Sequence, residues 1–320
     1  YVETTQDRFA FAMDNKRAIF DNLFQLFHTW SWLDGLGNAK LVIIITIALL
    51  AFCTALLGIY ILTKTKKSNG NTIVKARRSH RYTAIVGALF TLLWSFSGAY
   101  HALAKFQKDD RDASFVSNHF SPDIDFDFVR LQQAVQKPIS DICLVKMGKD
   151  EWWRITTLPS HQHHMGKAPV DMMKNMGAAM PAVTFVNTAD YSVLPNGEEK
   201  YAAWLATQFS KHPANSIQSV TAVTKFNDEY NFTDKRLPVW KVSYATNHNE
   251  RYYIETSTGK LSVRVDDKDL TEGYSFALFH KHHFMDWGGK EVRDISTMFW
   301  ALMQVLMVTV GLILWFKSRR

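Results

Sequence analysis

The chain has 320 residues, of which 47% are hydrophobic, and a formal net charge of +7 at pH 7. Its apolar residues are concentrated in three blocks, which argues against a pair of ordinary soluble domains. The basic residues adjoin these blocks without any nucleic-acid-binding motif, which argues against a nucleic-acid-binding protein. The two cysteines, Cys53 and Cys143, supply neither a disulfide framework nor a CxxC pattern.

The chain opens with a segment that recurs 252 residues later without a gap. Residues 1–4 (YVET) align with residues 253–256 (YIET), and His28 aligns with His280. Each copy continues into a long apolar segment, so the repeat indicates a strand, an amphipathic stretch with a histidine, and a membrane helix. Because the first copy starts inside its strand, we expect residues 1–40 to be the tail of a first extracytoplasmic unit. Its N-terminal piece, including a membrane helix, is then missing.

Three segments of 22 residues contain no Asp, Glu, Lys or Arg: Leu41–Leu62, Thr83–Ala104 and Ile295–Phe316. At 1.5 Å per residue each would span about 33 Å, which is enough to cross the hydrocarbon core of a bilayer. Buried helices of a globular protein are the alternative, but such helices carry a polar face and these do not. The sequence therefore predicts three transmembrane helices.

Basic residues predict the orientation of these helices. The loop 63–82 carries seven Lys and Arg residues and no acidic one, and residues 317–320 (KSRR) end the chain. Both are expected to face the cytoplasm, because basic residues accumulate on that side of a membrane. Residues 105–294 then form a large extracytoplasmic domain.

This domain is predicted to mix helices with antiparallel strands, which makes the fold class α+β. Helical spacing of apolar residues indicates helices at Asp127–Gln136 and Glu198–Lys211. Alternation and turn residues indicate strands at Glu151–Thr157, Ile217–Phe226, Leu237–Ala245, Arg251–Glu255 and Lys260–Val265.

The order of a helix and strands that ends in LPVWKVSY…RYYIETSTGKL resembles a PepSY domain. The SHR and SGAYHAL motifs at the two ends of the second predicted membrane helix resemble the PepSY-associated transmembrane helix family. That family includes iron-regulated inner-membrane proteins and haem-containing ferric-siderophore reductases. The resemblance implies a bacterial inner-membrane protein with its main domain in the periplasm and with bound haem b. It also implies a fourth membrane helix, which fits the missing N-terminal piece.

Four histidines lie at predicted membrane boundaries: His28, His80, His101 and His280. Ionisable residues beside a membrane span are costly unless paired or coordinated, so these are candidate ligands. His80 and His101 are 21 residues apart, which is about 31 Å of helix and returns to within ~60° of the same face. This arrangement suits two haems stacked across a bilayer, each held by two imidazoles.

The pairs of ligands stay open. His28, His101 and His280 lie on the predicted outer side, where one haem needs two of them, whereas His80 is alone on the cytoplasmic side. Its partner would come from the missing helix or from another subunit. The alternative roles are a cytoplasmic polar residue for His80, an interfacial residue for His101, and capping or packing for His28 and His280. The adjacent residues 282 and 283 are predicted to be surface histidines.

A second candidate site is the segment that contains His161, His163, His164 and Met165. Imidazole and thioether groups together suit soft or borderline metals such as copper. The ligand spacing is irregular, so a flexible loop with surface histidines is the alternative.

The leading functional hypothesis is an inner-membrane haem protein that passes electrons outward to ferric iron or a ferric siderophore. The sequence contains no P-loop, no dinucleotide-binding GxGxxG after a strand and no HExxH. Electrons would therefore come from a quinol or from a membrane or cytoplasmic reductase. The alternative is a non-enzymatic, membrane-anchored PepSY module that binds or regulates an envelope partner. A third hypothesis is copper or iron delivery through the His/Met segment.

Overall fold

The computed structural model describes residues 2–3, 8–9, 13–64, 72–107, 115–116, 119–158, 180–227, 229–231 and 235–317. The chain divides into two compact units. One unit, termed the helix unit, comprises Tyr1–Lys108 and Tyr274–Arg320. The other, termed the sheet unit, comprises Asp109–Gly273. The sequence-predicted extracytoplasmic domain 105–294 thus extends beyond the sheet unit, since residues 274–294 group with the helices.

The chain begins with short strands and then enters two long helices. In order, its elements are β1 (Val2–Glu3), β2 (Arg8–Phe9), α1 (Asn15–Phe27), a 3-10 turn (Ser31–Leu36), α2 (Asn38–Lys64) and α3 (Thr72–Gln107). Helix α3 starts 11 residues before the predicted span, so residues 72–82 of the predicted basic loop are helical. Lys and Arg are good helix formers, which lets α3 continue past its apolar part.

The sheet unit contains two antiparallel sheets, each with a helix on it. Its elements are α4 (Phe128–Val135), β3 (Ile139–Met147), β4 (Asp150–Thr157), β5 (Ala182–Asn187), β6 (Val193–Leu194), α5 (Gly197–Ser210), β7 (Ile217–Val223), β8 (Val239–Tyr244), β9 (Arg251–Glu255) and β10 (Lys260–Val265). The strand orders are β3-β4-β5-β6 and β10-β9-β8-β7. Helix α5 buries Leu205 against Val242 and Ile254 of the second sheet, and α4 buries Leu131 against the first. The predicted mixture of helix and antiparallel sheet is confirmed.

After the sheets the chain returns to the helix unit. Helix α6 (Asp267–Ser275) lies mostly in the sheet unit. The helix unit then contains a π-helical turn (Phe276–His280), a second 3-10 turn (His283–Gly288) and α7 (Gly289–Lys317). Among the described residues, α2, α3 and α7 are long and apolar enough to cross a membrane. Helix α3 packs against both α2 and α7. The prediction of three membrane-crossing helices is therefore confirmed at the level of length and composition.

The internal repeat is also a repeat of structure. In β1–β2, Val2 pairs with Phe9, and in β9–β10 the equivalent residues Ile254 and Leu261 pair in the same register. Both 3-10 turns begin after a residue in the left-handed conformation. These residues are Trp30, with φ of 54°, and His282, with φ of 55°. Both turns end at a glycine with positive φ, Gly37 and Gly289. The two copies thus share their backbone geometry as well as their sequence pattern.

Candidate functional site

One face of α3 contacts α7 and the segment 276–282 over most of the length of the helix. This α3 contact face consists of His80, Gly87, Phe90, Thr91, Trp94, Ser97 and His101. Contacts on the face recur mostly at steps of three or four residues, which is the spacing of a helix-packing seam. His80 and His101 lie on this same face, as their 21-residue separation predicts.

Three of the four predicted histidines meet at the C-terminal end of α3. The rings of His28 and His280 are edge to face, with centroids 5.7 Å apart. His101 and His280 each stack on the ring of Phe276, with centroids 4.6 Å apart in both pairs. These three imidazoles come from three separate parts of the chain: the end of α1, α3, and the π-helical turn before α7. They form the candidate site.

His280 is the best-enclosed member of this cluster. Its Nδ1 lies 3.3 Å from the Ser97 Oγ on α3. Burial, together with the neighbouring His28 and His101, lowers the pKa of His280 to about 4. Its ring is therefore neutral at pH 7, which is the form of imidazole that binds a metal ion.

His80 lies at the other end of the contact face, about 31 Å along α3 from His101. Its imidazole packs over Gly311 of α7, where a Cβ atom would lie 3.2 Å from the His80 Nε2. The glycine thus leaves room for the ring between two helices. The structure does not bring His80 to the other three histidines.

A polar contact joins α3 to α7 between the two ends. The Gln304 Nε2 donates to the Gly87 carbonyl at 2.5 Å, and the Thr91 Oγ1 donates to the Gln304 Oε1 at 3.0 Å. Gly87 allows this close approach, because a Cβ atom there would lie 2.8 Å from the Met307 Sδ. Interhelical hydrogen bonds and small residues are how membrane helices associate. The contact therefore fixes the register of α3 against α7. It also fixes where His80 and His101, at the two ends of the contact face, lie relative to α7.

Aromatic rings fill the space between this polar contact and the histidine cluster. Phe90 stacks on Trp300, with centroids 3.9 Å apart. Trp94 stacks almost parallel on His282, at 8° and 5.5 Å. One ring nitrogen of each residue in that second pair, the His282 Nε2 and the Trp94 Nε1, is buried without a hydrogen-bond partner among the described residues.

His282 was predicted to be a surface residue, and this prediction is wrong. The side chain is fully buried, and its Nδ1 lies 3.3 Å from the Ser296 Oγ. No local signal in the sequence indicated this burial, since the equivalent residue in the first copy, Trp30, is aromatic but only partly buried. His283, by contrast, is about one-third exposed and its Nδ1 lies 2.9 Å from the Asp286 Oδ2.

Comparisons with known proteins add no family to this picture. No family model, curated protein or solved structure matches the chain. The resemblance to the PepSY-associated transmembrane family therefore stays a prediction. The candidate site has to be judged on its own geometry.

That geometry is not a site for a bare metal ion. In the part of the chain that the structure describes, no group of three or more His, Cys, Asp or Glu side chains converges on one point. The three clustered histidines present aromatic stacking rather than a common focus. The second candidate site, His161, His163, His164 and Met165, lies outside the described residues.

Proposed function

We propose that this chain is a membrane b-type haem protein that passes electrons across the bacterial inner membrane to ferric iron or a ferric siderophore in the periplasm. The observation that carries the proposal is the placement of the four histidines. Three imidazoles meet at one end of the α3 contact face and a fourth lies at the other end. A chain of this kind can offer ligands near both surfaces of a bilayer.

The residues at the clustered end fit haem better than they fit a bare ion. Haem iron takes four ligands from the macrocycle and needs only two from the protein, so a pair of imidazoles is sufficient. His28, His101 and His280 supply three candidates for that pair. The contact of Ser97 with the Nδ1 of His280 leaves the Nε2 of that ring as the nitrogen available to iron. Bound haem would supply the one-electron chemistry of its iron.

The surrounding side chains would position the ligands and exclude water. Phe276 stacks on both His101 and His280, so it holds the two rings in fixed orientations. Ser97 orients His280, as hydrogen-bond partners of ligating histidines do. At the other end, Gly311 provides the space that His80 occupies. The second ligand on the His80 side would come from a further helix or subunit, and the donor would be a quinol or a reductase.

The test is an absorption spectrum of the detergent-purified protein, oxidised and then reduced with dithionite, with a pyridine haemochrome assay. The cells should be grown with ample iron and haem precursor. We expect a sharp b-type α band and one or two haems per chain. A flat visible spectrum would overturn the proposal.

A flat spectrum would favour the alternative, in which the protein is a membrane-anchored PepSY module that binds an envelope partner. One observation is consistent with that alternative: α5 packs on the antiparallel sheet β10-β9-β8-β7, so the sheet unit has a core of its own. The two functions differ in what the histidines do. Under the alternative, His28→Ala and His101→Ala would leave activity intact, whereas substitutions in residues 237–256 would abolish it.

A further inference from the structure

Helix α1 presents a broad apolar face that the described part of the protein leaves uncovered. Six large apolar residues of this helix are exposed: Ile19, Phe20, Leu23, Phe24, Leu26 and Phe27. Phe20 is 72% exposed and Phe27 is 70% exposed. A contiguous apolar patch of this kind marks a surface that contacts another molecule or a membrane.

The apolar residues of α1 lie together on one side of the helix. At about 100° per residue, the six fall within an arc of about 160°. Beyond the first turn, the polar residues Asp21, Asn22 and Gln25 lie outside this arc, and all three are exposed. Lys16, in the first turn, falls within the arc, and its long side chain can extend to water. Such a separation of an apolar face from a polar face is typical of a helix that lies in the plane of a membrane surface.

The apolar surface continues from α1 directly into a membrane-crossing helix. The 3-10 turn after α1 exposes Trp32 to 65%, and Leu36 in the same turn is also exposed. Leu26, Phe27, Trp30 and Trp32 together line an open apolar hollow. Helix α2 starts at Asn38, two residues after the turn ends. The 3-10 turn is therefore close in the chain to the N-terminal end of a helix that is apolar enough to cross a membrane.

The second copy of the repeat shows the same feature before its own membrane helix. Phe284, the equivalent of Trp32, is 47% exposed, and Trp287 in the same turn is 81% exposed. Helix α7 starts at Gly289, directly after this turn. Large aromatic residues concentrate at the boundary between lipid and water in membrane proteins. Both turns therefore carry the side chains that this boundary favours.

We infer that α1 and the 3-10 turn after it lie in the plane of the membrane, in the leaflet at which α2 begins, with the apolar face of α1 in lipid. The occupant of this surface is the boundary between headgroups and acyl chains. The binding is driven by burial of the six apolar side chains and the turn tryptophan. It does not depend on haem.

This placement has a consequence for the candidate site. His28 directly follows α1, and its ring stacks on Phe24 with centroids 4.7 Å apart. Lipid contact of Phe24 and its neighbours would hold His28 at the bilayer boundary, next to His280. The lipid surface would thus form one wall around the histidine cluster.

The experiment measures how deep the two sides of α1 lie in a bilayer. Phe20→Cys and Asn22→Cys, each in a Cys53→Ala/Cys143→Ala background of the full chain, are labelled with a nitroxide and reconstituted into phospholipid nanodiscs. Oxygen, which partitions into lipid, and a water-soluble nickel chelate then report the surroundings of each label by power saturation. We expect the label at position 20 to relax with oxygen and to lie about 5–10 Å below the headgroups. The label at position 22 should relax with nickel.

Two results would overturn the inference. Equal nickel access at both positions would place α1 in water. A label at position 20 that neither oxygen nor nickel reaches would place protein over the apolar face, and a distance measurement between labels would show whether a second copy is that protein. Ile19→Cys, on the same face, repeats the measurement in case Phe20→Cys fails to fold. If both labels on the apolar face report water in correctly folded protein, the inference fails.

Discussion

The two copies of the repeat share a backbone but differ in what covers them. His282 and Trp30 follow the same helix-to-turn geometry, yet His282 is fully buried whereas Trp30 is only partly buried. Phe276 packs among His101 and His280, but its equivalent Phe24 stays exposed. The cause is helix α3, whose side chains contact Phe276, His280 and His282 of the second copy. Local sequence thus sets the shape of each copy, and the neighbouring helix decides which side chains are buried.

The largest expected effect is a loss of bound haem, and it tests whether the equivalent histidines His28 and His280 have the same role. We expect His280→Ala to lower the pyridine haemochrome count by one haem per chain, because His280 has Ser97 to orient it and a ring that stays neutral. His28→Ala should cause the same loss if His28 is the partner ligand, and no loss if His101 is. His283→Ala is the matched control and should keep the wild-type count. An unchanged count in His280→Ala would exclude this residue as a ligand.

The second prediction compares the aromatic position at the start of each 3-10 turn. His282→Ala should lower the free energy of unfolding by about 2–4 kcal/mol, because it leaves a cavity between Phe90 and Trp94. Trp30→Ala should cost about 1 kcal/mol, since that ring is partly exposed and loses one hydrogen bond to the Phe27 carbonyl. Unfolding in detergent would measure both. Equal losses of unfolding free energy would show that the greater burial of His282 does not make it more important for stability than Trp30.

The third prediction tests the glycine with positive φ that ends the 3-10 turn in both copies. Gly37 and Gly289 both have positive φ, at 53° and 83°, where a side chain is strained. We expect Gly37→Ala and Gly289→Ala each to cost about 1–2 kcal/mol in unfolding free energy. Apart from each glycine and its two chain neighbours, no atom of the described residues lies within 4 Å of a Cβ at either position, so the cost comes from the backbone alone. Gly58→Ala, in helical backbone and also open, is the control that should not destabilise the protein.

The smallest effect concerns the acidic residue of each turn. Asp34 pairs with Lys40, and Asp286 pairs with Arg293 at 3.0 Å. Both carboxylates are exposed, so Asp34→Asn and Asp286→Asn should each change the unfolding free energy by less than about 1 kcal/mol. If this change in unfolding free energy becomes smaller at high salt, its origin is electrostatic. A larger loss in either variant would indicate a role beyond a surface ion pair.

The long helices could be predicted from sequence because hydropathy over 22 residues is a strong signal. Their full lengths could not, since α3 continues through the basic segment as far back as Thr72. Several strands of the sheet unit were predicted closely, Arg251–Glu255 and Lys260–Val265 without any shift. Strands β3 and β5 were not predicted. In β3, Asp141 and Lys146 interrupt the apolar pattern, so it lacks clear alternation.

The histidines of the candidate site could be predicted from the sequence, but their arrangement in space could not. The repeat and the membrane boundaries identified His28, His101 and His280, which the fold then brings together. Two features depend on tertiary packing and gave no local signal. The burial of His282 comes from Trp94 and Phe90, which lie almost 200 residues away in the sequence. The hydrogen bond from Gln304 to the Gly87 carbonyl likewise depends on the register of α3 against α7.

The spacing of the α3 contact face limits which insertions and deletions the protein can accept. Twenty-one residues separate His80 from His101, which equals three heptads. A single residue inserted between them would turn one imidazole by about 100° relative to the other. An insertion of seven residues would restore the common face but lengthen the separation by about 10.5 Å. Relatives that keep both histidines on α3 should therefore keep this interval, even where the residues between them change.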